Sequence, residues 1–294
     1  MNHREESMST RRDFLETVAG GLGLFALGAA KEPRTRRPAR IGLQLYSLRN
    51  EFKNDVPGTL AKVKAMGFEH VETAGSYGLS PEAFAAEIKK AGLSCRSGHF
   101  DYDRYRQDPA GVAREAKTYG ASFMACAWIP HQGKFTRDDA MKAAEVFTKA
   151  GRVARENGLR FAYHIHGYEF EPSADGTLFD TLAANTPADL VLFEADVLWV
   201  TGGGQDPAAF IEKHAGRVPL THLKDVAKGT QYTPPTASIP DTTNVVLGTG
   251  MIDIPAILRA SEKAGVEYHF IEDEHKDALA HLPSSLAYLR RQMS

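Results

Sequence analysis

Three strand-like segments in the second half of this chain carry a residue type that divalent metals bind, close to the point where each segment ends. Asp196 and Glu272 each close an apolar run, and His222 lies near the end of another. A fourth run adds three candidates, which are His164, His166 and Glu169. Because parallel strands of one barrel or sheet end at a common mouth, we expect these side chains to meet there. Such a mouth is where active sites form.

Side chains alternate between the two faces of a strand, so the spacing within each run predicts which of them point the same way. The inward pairs are His164 with His166, Glu194 with Asp196, His222 with Lys224, and Phe270 with Glu272. Carboxylates and imidazoles without thiolates suit Mn²⁺, Co²⁺, Mg²⁺ or Zn²⁺. One inward acid alone is equally well explained as half of a buried ion pair. Candidates at the ends of four strands together favour a single divalent ion.

Eight short apolar runs alternate with helix-like segments along the chain. The runs cover residues 40–46, 68–73, 93–100, 122–128, 159–166, 190–196, 218–224 and 267–272. The helical segments cover residues 57–66, 81–91, 109–119, 137–157, 177–184, 207–214, 254–264 and 277–292. Of the 294 residues, 264 follow residue 30, close to the ~250 typical of an eight-stranded α/β barrel. The pattern predicts an α/β fold, with one catalytic (β/α)8 TIM barrel over residues 40–294.

Two loop segments bear on ligand binding. The triplet Gly202, Gly203 and Gly204 lacks the Gly-x-Gly-x-x-Gly spacing between strand and helix, which argues against a dinucleotide site. The polar stretch 226–250 is too long for a simple connection and is predicted to be a flap over the active site.

Composition limits the classes of partner. The formal net charge is −2, and 43% of the residues are hydrophobic, as in a soluble globular protein with a large core. No general field attracts nucleic acid or an anionic membrane, so we expect a small-molecule partner. Cys95 and Cys126 are expected to be buried apolar residues, although an export pathway would also allow a disulfide. The sequence leaves open whether the chain forms a homo-oligomer.

The N-terminus carries a targeting pattern. Residues 9–15, Ser-Thr-Arg-Arg-Asp-Phe-Leu, resemble a twin-arginine export signal, and small residues at 28–30 suit a signal peptidase. The apolar stretch 17–30 holds 14 residues, whereas a membrane span needs about 20. We therefore predict a signal peptide over 1–30, a linker over 31–39, use of the twin-arginine translocase, no membrane anchor after processing and a periplasmic location. An ordinary amphipathic helix and an uncleaved tether are the alternatives.

Several fragments, in their order and spacing, give the chain a family resemblance. They are YHIHGYEF (163–170), DVLWV (196–200), DP (206–207), HLKD (222–225), LGTGMID (247–253) and IE (271–272). Together they resemble the xylose isomerase-like barrel superfamily, which includes sugar phosphate isomerases and epimerases as well as endonuclease IV.

The resemblance implies a ligand set for one divalent ion. In the sugar enzymes of that superfamily an acid after strand five, an Asp after strand six, a His on strand seven and a Glu on strand eight hold the metal. Carried over, the last three are Asp196, His222 and Glu272. His164 stands at the strand tip where Glu is usual, so we favour Glu169 as the fourth ligand. His164 and His166 are the alternatives, either as ligands or as substrate contacts.

The implied chemistry is proton transfer beside a carbonyl. The metal would stabilise an enediolate while Glu272 and Glu169 remove and return a proton, and Lys224 would contact a substrate oxygen. Return of the proton to the neighbouring carbon isomerises the sugar, return to the other face epimerises it, and loss of a β-substituent makes the enzyme a lyase. Further expected substrate contacts are His99, Gln44, Tyr46 and Glu72, together with Trp128 and Trp199, for each of which core packing is the alternative.

Four functional classes remain after this reading. A metal-dependent isomerase or epimerase comes first, followed by a lyase, dehydratase or hydrolase that enolises 3-keto glycosides. An endonuclease IV-like phosphodiesterase is disfavoured, because the near-neutral charge gives no attraction to DNA. A metal-free sugar-binding barrel is the fourth class.

Overall fold

The architecture comes from a computed structural model that describes residues 39–174 and 176–294. Eight strands form one sheet: Arg40–Gln44 (β1), His70–Ala74 (β2), Ser94–Phe100 (β3), Phe123–Cys126 (β4), Arg160–His164 (β5), Val191–Asp196 (β8), Leu220–Leu223 (β9) and Tyr268–Ile271 (β10). A small hairpin, Pro172–Ser173 (β6) with Gly176–Thr177 (β7), lies between the fifth and sixth strands of that sheet. The predicted signal peptide and almost all of the linker lie outside the described residues.

The sheet closes on itself. The eight strands pair in parallel in the order β1, β10, β9, β8, β5, β4, β3, β2, and β2 pairs again with β1. Parallel pairing places all of the strand C-termini at one mouth. The predicted single (β/α)8 barrel is therefore confirmed.

Helices follow the strands and cover the outside of the barrel. The described helices are Arg49–Phe52 (α1), Val56–Ala65 (α2), Pro81–Lys90 (α3), Tyr102–Gln107 (α4), Pro109–Tyr119 (α5), Arg137–Glu156 (α6), Leu178–Ala184 (α7), Val197–Gly202 (α8), Pro207–Lys213 (α9), Ile254–Ala264 (α10) and Ala278–Gln292 (α11). Eight of them begin after a side chain that accepts a hydrogen bond from the amide three residues on: Asp55, Ser80, Asp108, Thr136, Thr177, Asp196, Asp206 and Asp253. Such caps satisfy amides that the first helical turn leaves free.

Strand alternation divides the core into two parts. Phe161, Tyr163 and Phe193 belong to the large cluster that packs between sheet and helices. A separate small cluster fills the barrel interior, and its fully or almost fully buried members are Phe123, Ala125, Ala162, Leu220, Tyr268 and Phe270. Because Ala162, Leu220 and Phe270 each lie two residues before a candidate ligand, the candidates point into the barrel above an apolar floor.

The flap, residues 226–250, is an irregular segment tied to the barrel mouth. One carboxylate organises its base: Asp225 accepts hydrogen bonds from the amides of Val226, Gly248, Gly250 and Ile252, at 2.9–3.1 Å. The amide of Thr236 donates to the carbonyl of Gly202 (3.0 Å), and Arg49 pairs with Asp241 (2.9 Å). The flap of this structure thus lies against the mouth.

Some expected boundaries differ from the structure. The first strand ends at Gln44 because residues 45–48 form a 3₁₀ turn, and the fifth ends at His164 rather than residue 166. The hairpin β6–β7 and the short helices α1, α4 and α8 were not predicted, since segments of two to six residues carry little periodicity. Among the described residues, no helix combines the length and the apolar character that a membrane crossing requires.

Candidate metal centre

The ends of four consecutive barrel strands bring four potential metal ligands together. His164 ends β5, Asp196 ends β8, His222 lies on β9, and Glu272 follows β10 directly. One nitrogen or carboxylate oxygen of each lies within 4.8 Å of the others, and all four residues are buried. We call these four residues the rim cluster.

Two atoms of the rim cluster are aimed at a ligand by their surroundings. Asp196 caps α8 with Oδ1, which accepts from the amides of Leu198 (2.9 Å) and Trp199 (3.1 Å), so Oδ2 turns toward the cluster. His164 Nε2 is buried and has no hydrogen-bond partner, whereas Asp196 Oδ2, 3.4 Å away, has no hydrogen bond but pairs with the ammonium of Lys224 at 3.1 Å. A buried polar atom without a partner is costly, and a bound cation would satisfy His164 Nε2 while sharing the charge of Asp196. The donor set therefore fits a divalent ion.

His222 and Lys224 complete the contacts of the rim cluster. Nδ1 of His222 lies 2.8 Å from Glu272 Oε2 and 3.8 Å from Asp196 Oδ2. The ammonium of Lys224 lies 3.1 Å from Asp196, 3.0 Å from Glu272 and 2.7 Å from Glu274. Burial would lower the pKa of Lys224, but these carboxylates raise it well above its ordinary value. Lys224 is therefore a fixed cation and a hydrogen-bond donor, not a base.

A second group of charged residues lies one layer deeper in the barrel. It consists of Glu72, His99, Glu194 and His222, and we call it the inner cluster. Nε2 of His222 lies 2.6 Å from Glu72 and 3.3 Å from Glu194, while Nε2 of His99 lies 2.7 Å from Glu194. Gln44 donates to Glu72 at 2.7 Å. His222 thus joins the two clusters through its opposite ring nitrogens.

The acids of the inner cluster differ in their electrostatics. Burial, followed by the charge of Glu194, raises the pKa of Glu72. Burial would also raise the pKa of Glu194, but His222 and His99 lower it well below its ordinary value. For His222 itself, burial would lower the pKa, but Glu194, Glu72 and Glu272 raise it well above its ordinary value. The two clusters together bring four buried carboxylates, those of Glu72, Glu194, Asp196 and Glu272, around the ring of His222.

Glu169, the ligand favoured from the sequence, lies outside both clusters. Its carboxylate accepts a short hydrogen bond from the Tyr163 hydroxyl and another from the amide of His166 (3.0 Å). Burial raises the pKa of Glu169 to about 7, although these hydrogen bonds act in the opposite direction. Of the three candidates for this ligand, Glu169, His164 and His166, the structure brings His164 to the cluster. The chain turns after His164, which carries Glu169 behind the mouth.

The remaining candidates lie at different distances from the rim cluster. His166 is next to it, with its ring centre 4.6 Å from that of His164, and Trp128 lies 4.6 Å from His166. The ammonium of Lys224 lies 5.2 Å from the ring of Trp199. Tyr46 is exposed at the mouth, whereas His99, Gln44 and Glu72, also expected at the mouth, belong to or contact the inner cluster.

Two residues of the site were missed from the sequence. Glu194 faces inward with Asp196, as alternation predicted, but its contact with His99 was not foreseen. Glu274 holds Lys224, and its place two residues beyond Glu272 was the available signal. Cys95 and Cys126 are buried and unpaired, and burial raises the pKa of the Cys95 thiol to about 12. The expectation that both are buried is confirmed.

Comparison with known proteins places this barrel in a family. Residues 60–292 match the model of the xylose isomerase-like TIM barrel family, and the chain belongs to that family. An inosose dehydratase of Lacticaseibacillus casei is 27% identical over 155 residues, which are 50% of this chain and 50% of that protein. The chain spans about half the length, or less, of the curated relatives it matches.

Solved structures share the fold at low sequence identity. A sugar phosphate isomerase/epimerase from Parabacteroides distasonis superposes with a TM-score of 0.71 and 23% identity, covering 89% of this chain and 96% of that one. The IOLI protein, in a crystal structure with a binding zinc atom, has a TM-score of 0.66 and 13% identity over 87% of this chain and 98% of that one. These likenesses concern the fold.

Proposed function

We propose that this protein is a divalent-metal-dependent isomerase or epimerase acting on a small sugar or sugar phosphate. The observation that supports this proposal most strongly is the rim cluster, in which four buried ligand atoms from four strand ends lie within 4.8 Å of one another. His164, Asp196, His222 and Glu272 would hold the ion. When bound, the ion supplies a Lewis acid that polarises a carbonyl oxygen and stabilises the negative charge that develops on it. Zinc in the structurally similar IOLI protein supports a metal of this kind.

The chain's own groups then handle the proton and the substrate oxygens. Glu272 faces the mouth, and its pKa lies well below the ordinary value because Lys224 and His222 outweigh the effect of burial. An ionised carboxylate is competent to take a proton from carbon beside a polarised carbonyl. Lys224, which stays protonated, donates to a neighbouring substrate oxygen. Glu169 lies behind the mouth and is not assigned a proton-transfer step.

A lyase is the second candidate. Inosose dehydratases are the curated relatives that match this chain, and dehydration begins with the same removal of a proton beside a carbonyl. The two reactions part afterwards: an isomerase or epimerase returns the proton to carbon, whereas a dehydratase expels a hydroxyl group from the neighbouring carbon.

Two measurements test the proposal. Elemental analysis of purified protein should find one divalent ion per chain, and chelation should lower the melting temperature, because a ligand at 100 times its Kd stabilises the fold by about 2.7 kcal/mol. Incubation of the metal-loaded protein with sugars, sugar phosphates and 3-keto glycosides in deuterated water should then show exchange at one carbon by NMR. Exchange with retention of all oxygens supports the isomerase, and loss of water supports the dehydratase. A protein that binds no divalent metal would contradict both.

We also propose that the mature protein is periplasmic. The support is the Arg11–Arg12 pair followed by a short apolar stretch in residues 1–30. A fusion of residues 1–35 to a folded reporter should be exported through the twin-arginine translocase, and replacement of Arg11 and Arg12 by Lys should abolish that export. Unchanged export of the double variant would contradict the proposal.

A further inference from the structure

Large apolar side chains are exposed at one end of the barrel. Within residues 39–174 and 176–294, the exposed large hydrophobic residues are Tyr46 (42%), Trp128 (40%) and Met251 (44%). Each follows a barrel strand at its C-terminal end, on the loops after β1, β4 and β9. A single exposed apolar residue is common on protein surfaces, so exposure alone makes none of the three a ligand contact. A ligand contact needs further support from the residues around it.

Trp128 is the best-supported of these side chains. Its indole stacks on His131 (ring centres 5.4 Å apart, planes 19° apart) and meets the edges of His166 (4.6 Å) and Tyr168 (4.5 Å). Phe135 closes the back of the group at 5.0 Å from Tyr168. We call Trp128, His131, His166 and Tyr168 the aromatic wall. One face of the indole is covered by His131, and 40% of the residue remains exposed.

A buried hydrogen-bonded chain holds the aromatic wall in place. The carboxylate of Glu169 accepts from the hydroxyl of Tyr163 and from the amide of His166, and the hydroxyls of Tyr163 and Tyr168 lie 2.8 Å apart. Tyr168 also accepts from the amide of Ile129 at 3.0 Å, which fixes the loop that carries Trp128. Rigid aromatic side chains lose little conformational entropy when they bind, so a fixed wall is suited to recognition. Glu169 thereby acquires a positioning role.

The aromatic wall begins at the metal centre and runs outward. The ring centre of His166 lies 4.6 Å from that of His164 in the rim cluster, and the ring centre of Trp128 lies 4.6 Å from that of His166. A sugar ring bound at His164 would lie beside His166. A group that stacks on the exposed face of Trp128 then lies two ring contacts away from His164, and that is where we place the next ring of the ligand. Nδ1 of His166, between the two positions, is shielded from solvent and has no hydrogen-bond partner in the protein.

We propose that the substrate is a two-ring glycoside whose reacting sugar carries a keto group on a ring carbon and lies at the rim cluster, while a second ring stacks on Trp128. This inference rests on the proposed function, because it takes the rim cluster as the reacting centre. The second ring is either another pyranose or an aromatic aglycone, since both present a flat apolar face to an indole. A free monosaccharide would leave Trp128 without a partner.

Binding of three probes to the zinc-loaded full chain tests this inference by calorimetry. Cellobiose and phenyl β-glucoside each carry a second ring, whereas methyl β-glucoside carries none. We expect at least one two-ring probe to bind about tenfold more tightly than methyl β-glucoside, a difference of ~1.4 kcal/mol. Preference for cellobiose identifies a second sugar, and preference for phenyl β-glucoside identifies an aromatic aglycone. If neither binds more tightly than methyl β-glucoside, or neither binds at all, the inference is overturned.

Variants of Trp128 test whether the aromatic wall causes the preference for two-ring probes. Trp128→Ala should bring the two-ring probes to the affinity of methyl β-glucoside, and Trp128→Phe should keep part of the difference. Met251→Ala is the matched control, since Met251 is equally exposed but lies outside the wall, and it should keep the full difference. An equal loss for all three probes in Trp128→Ala would overturn the assignment. A zinc titration on the same samples separates the two proposals, because zinc binding without a ring preference defeats this inference alone.

Discussion

The rim cluster and the inner cluster share His222 but differ in what surrounds them. The rim cluster has the ammonium of Lys224 beside both of its carboxylates, and His164 Nε2 within it has no hydrogen-bond partner. The inner cluster pairs imidazoles with carboxylates at 2.6 and 2.7 Å, and Gln44 supports it from β1. Similar residue types therefore produce two environments. The rim cluster suits a cation that faces the substrate, and the inner cluster orients His222 from the barrel interior.

Glu272→Gln gives the largest expected effect, because it removes the proposed base from the rim cluster. Turnover should fall by at least about 10²-fold, the usual contribution of a general base, and the melting temperature of the metal-loaded protein should fall as well, because Glu272 is also a proposed ligand and pairs with His222 and Lys224. Steady-state kinetics and thermal melting measure the two quantities. Glu267→Gln is the control, since Glu267 precedes the same strand and pairs with Arg160 on the protein surface. Retained activity in Glu272→Gln would remove that residue from the mechanism.

Glu72→Leu tests whether the inner cluster positions His222 for the metal. If Glu72 holds the proton of Nε2, then Nδ1 is left for the ion, and loss of the partner should weaken zinc binding by about 10–100-fold. Calorimetric titration gives both the affinity and the stoichiometry. Glu69→Gln, an exposed acid before the same strand, should leave both unchanged. Two zinc ions per wild-type chain would contradict the distinction between the rim cluster and the inner cluster, because the inner cluster would then be a second metal site.

Lys224→Met should separate metal binding from turnover. The ammonium lies about 3 Å from two proposed ligands, so its removal relieves repulsion of the ion, and zinc should bind several-fold more tightly. Turnover should fall, because a donor to the substrate oxygen is lost. Parallel calorimetry and kinetics check this, with the exposed flap variant Lys228→Met as the control. Weaker zinc binding in Lys224→Met would show that the lysine supports the ion instead of opposing it.

The sequence was sufficient for the barrel and for three of the four rim residues. Alternation within each strand correctly placed Asp196, His222 and Glu272 inside, above a floor of apolar residues. Alternation also placed His164 inside, whereas Glu169 was favoured on the family resemblance alone; the position of a side chain beyond the strand depends on the turn that follows, and residues 168–170 form a 3₁₀ turn. Strand alternation does not reach past the last residue of a strand.

The inner cluster could not be derived from local patterns. Glu72 and His222 are 150 residues apart, and their 2.6 Å contact depends on the closure of the sheet between β1 and β2 as well as on side-chain conformation. Glu194 was correctly predicted to point inward, but nothing local to β8 identified His99 as its partner. Closure of a barrel creates such neighbours only in three dimensions.

The carboxylate of Asp225 determines which part of the flap could be replaced to change the range of ligands that this barrel binds. It follows Lys224 directly and binds amides at both ends of the flap, from Val226 to Ile252. The two stems of the flap are thereby fastened to the strand that carries His222, while the stretch between them takes no part in that fastening. Exchange of residues 228–243 for segments of other length would reshape the cover of the mouth and leave the charged groups beneath it in place.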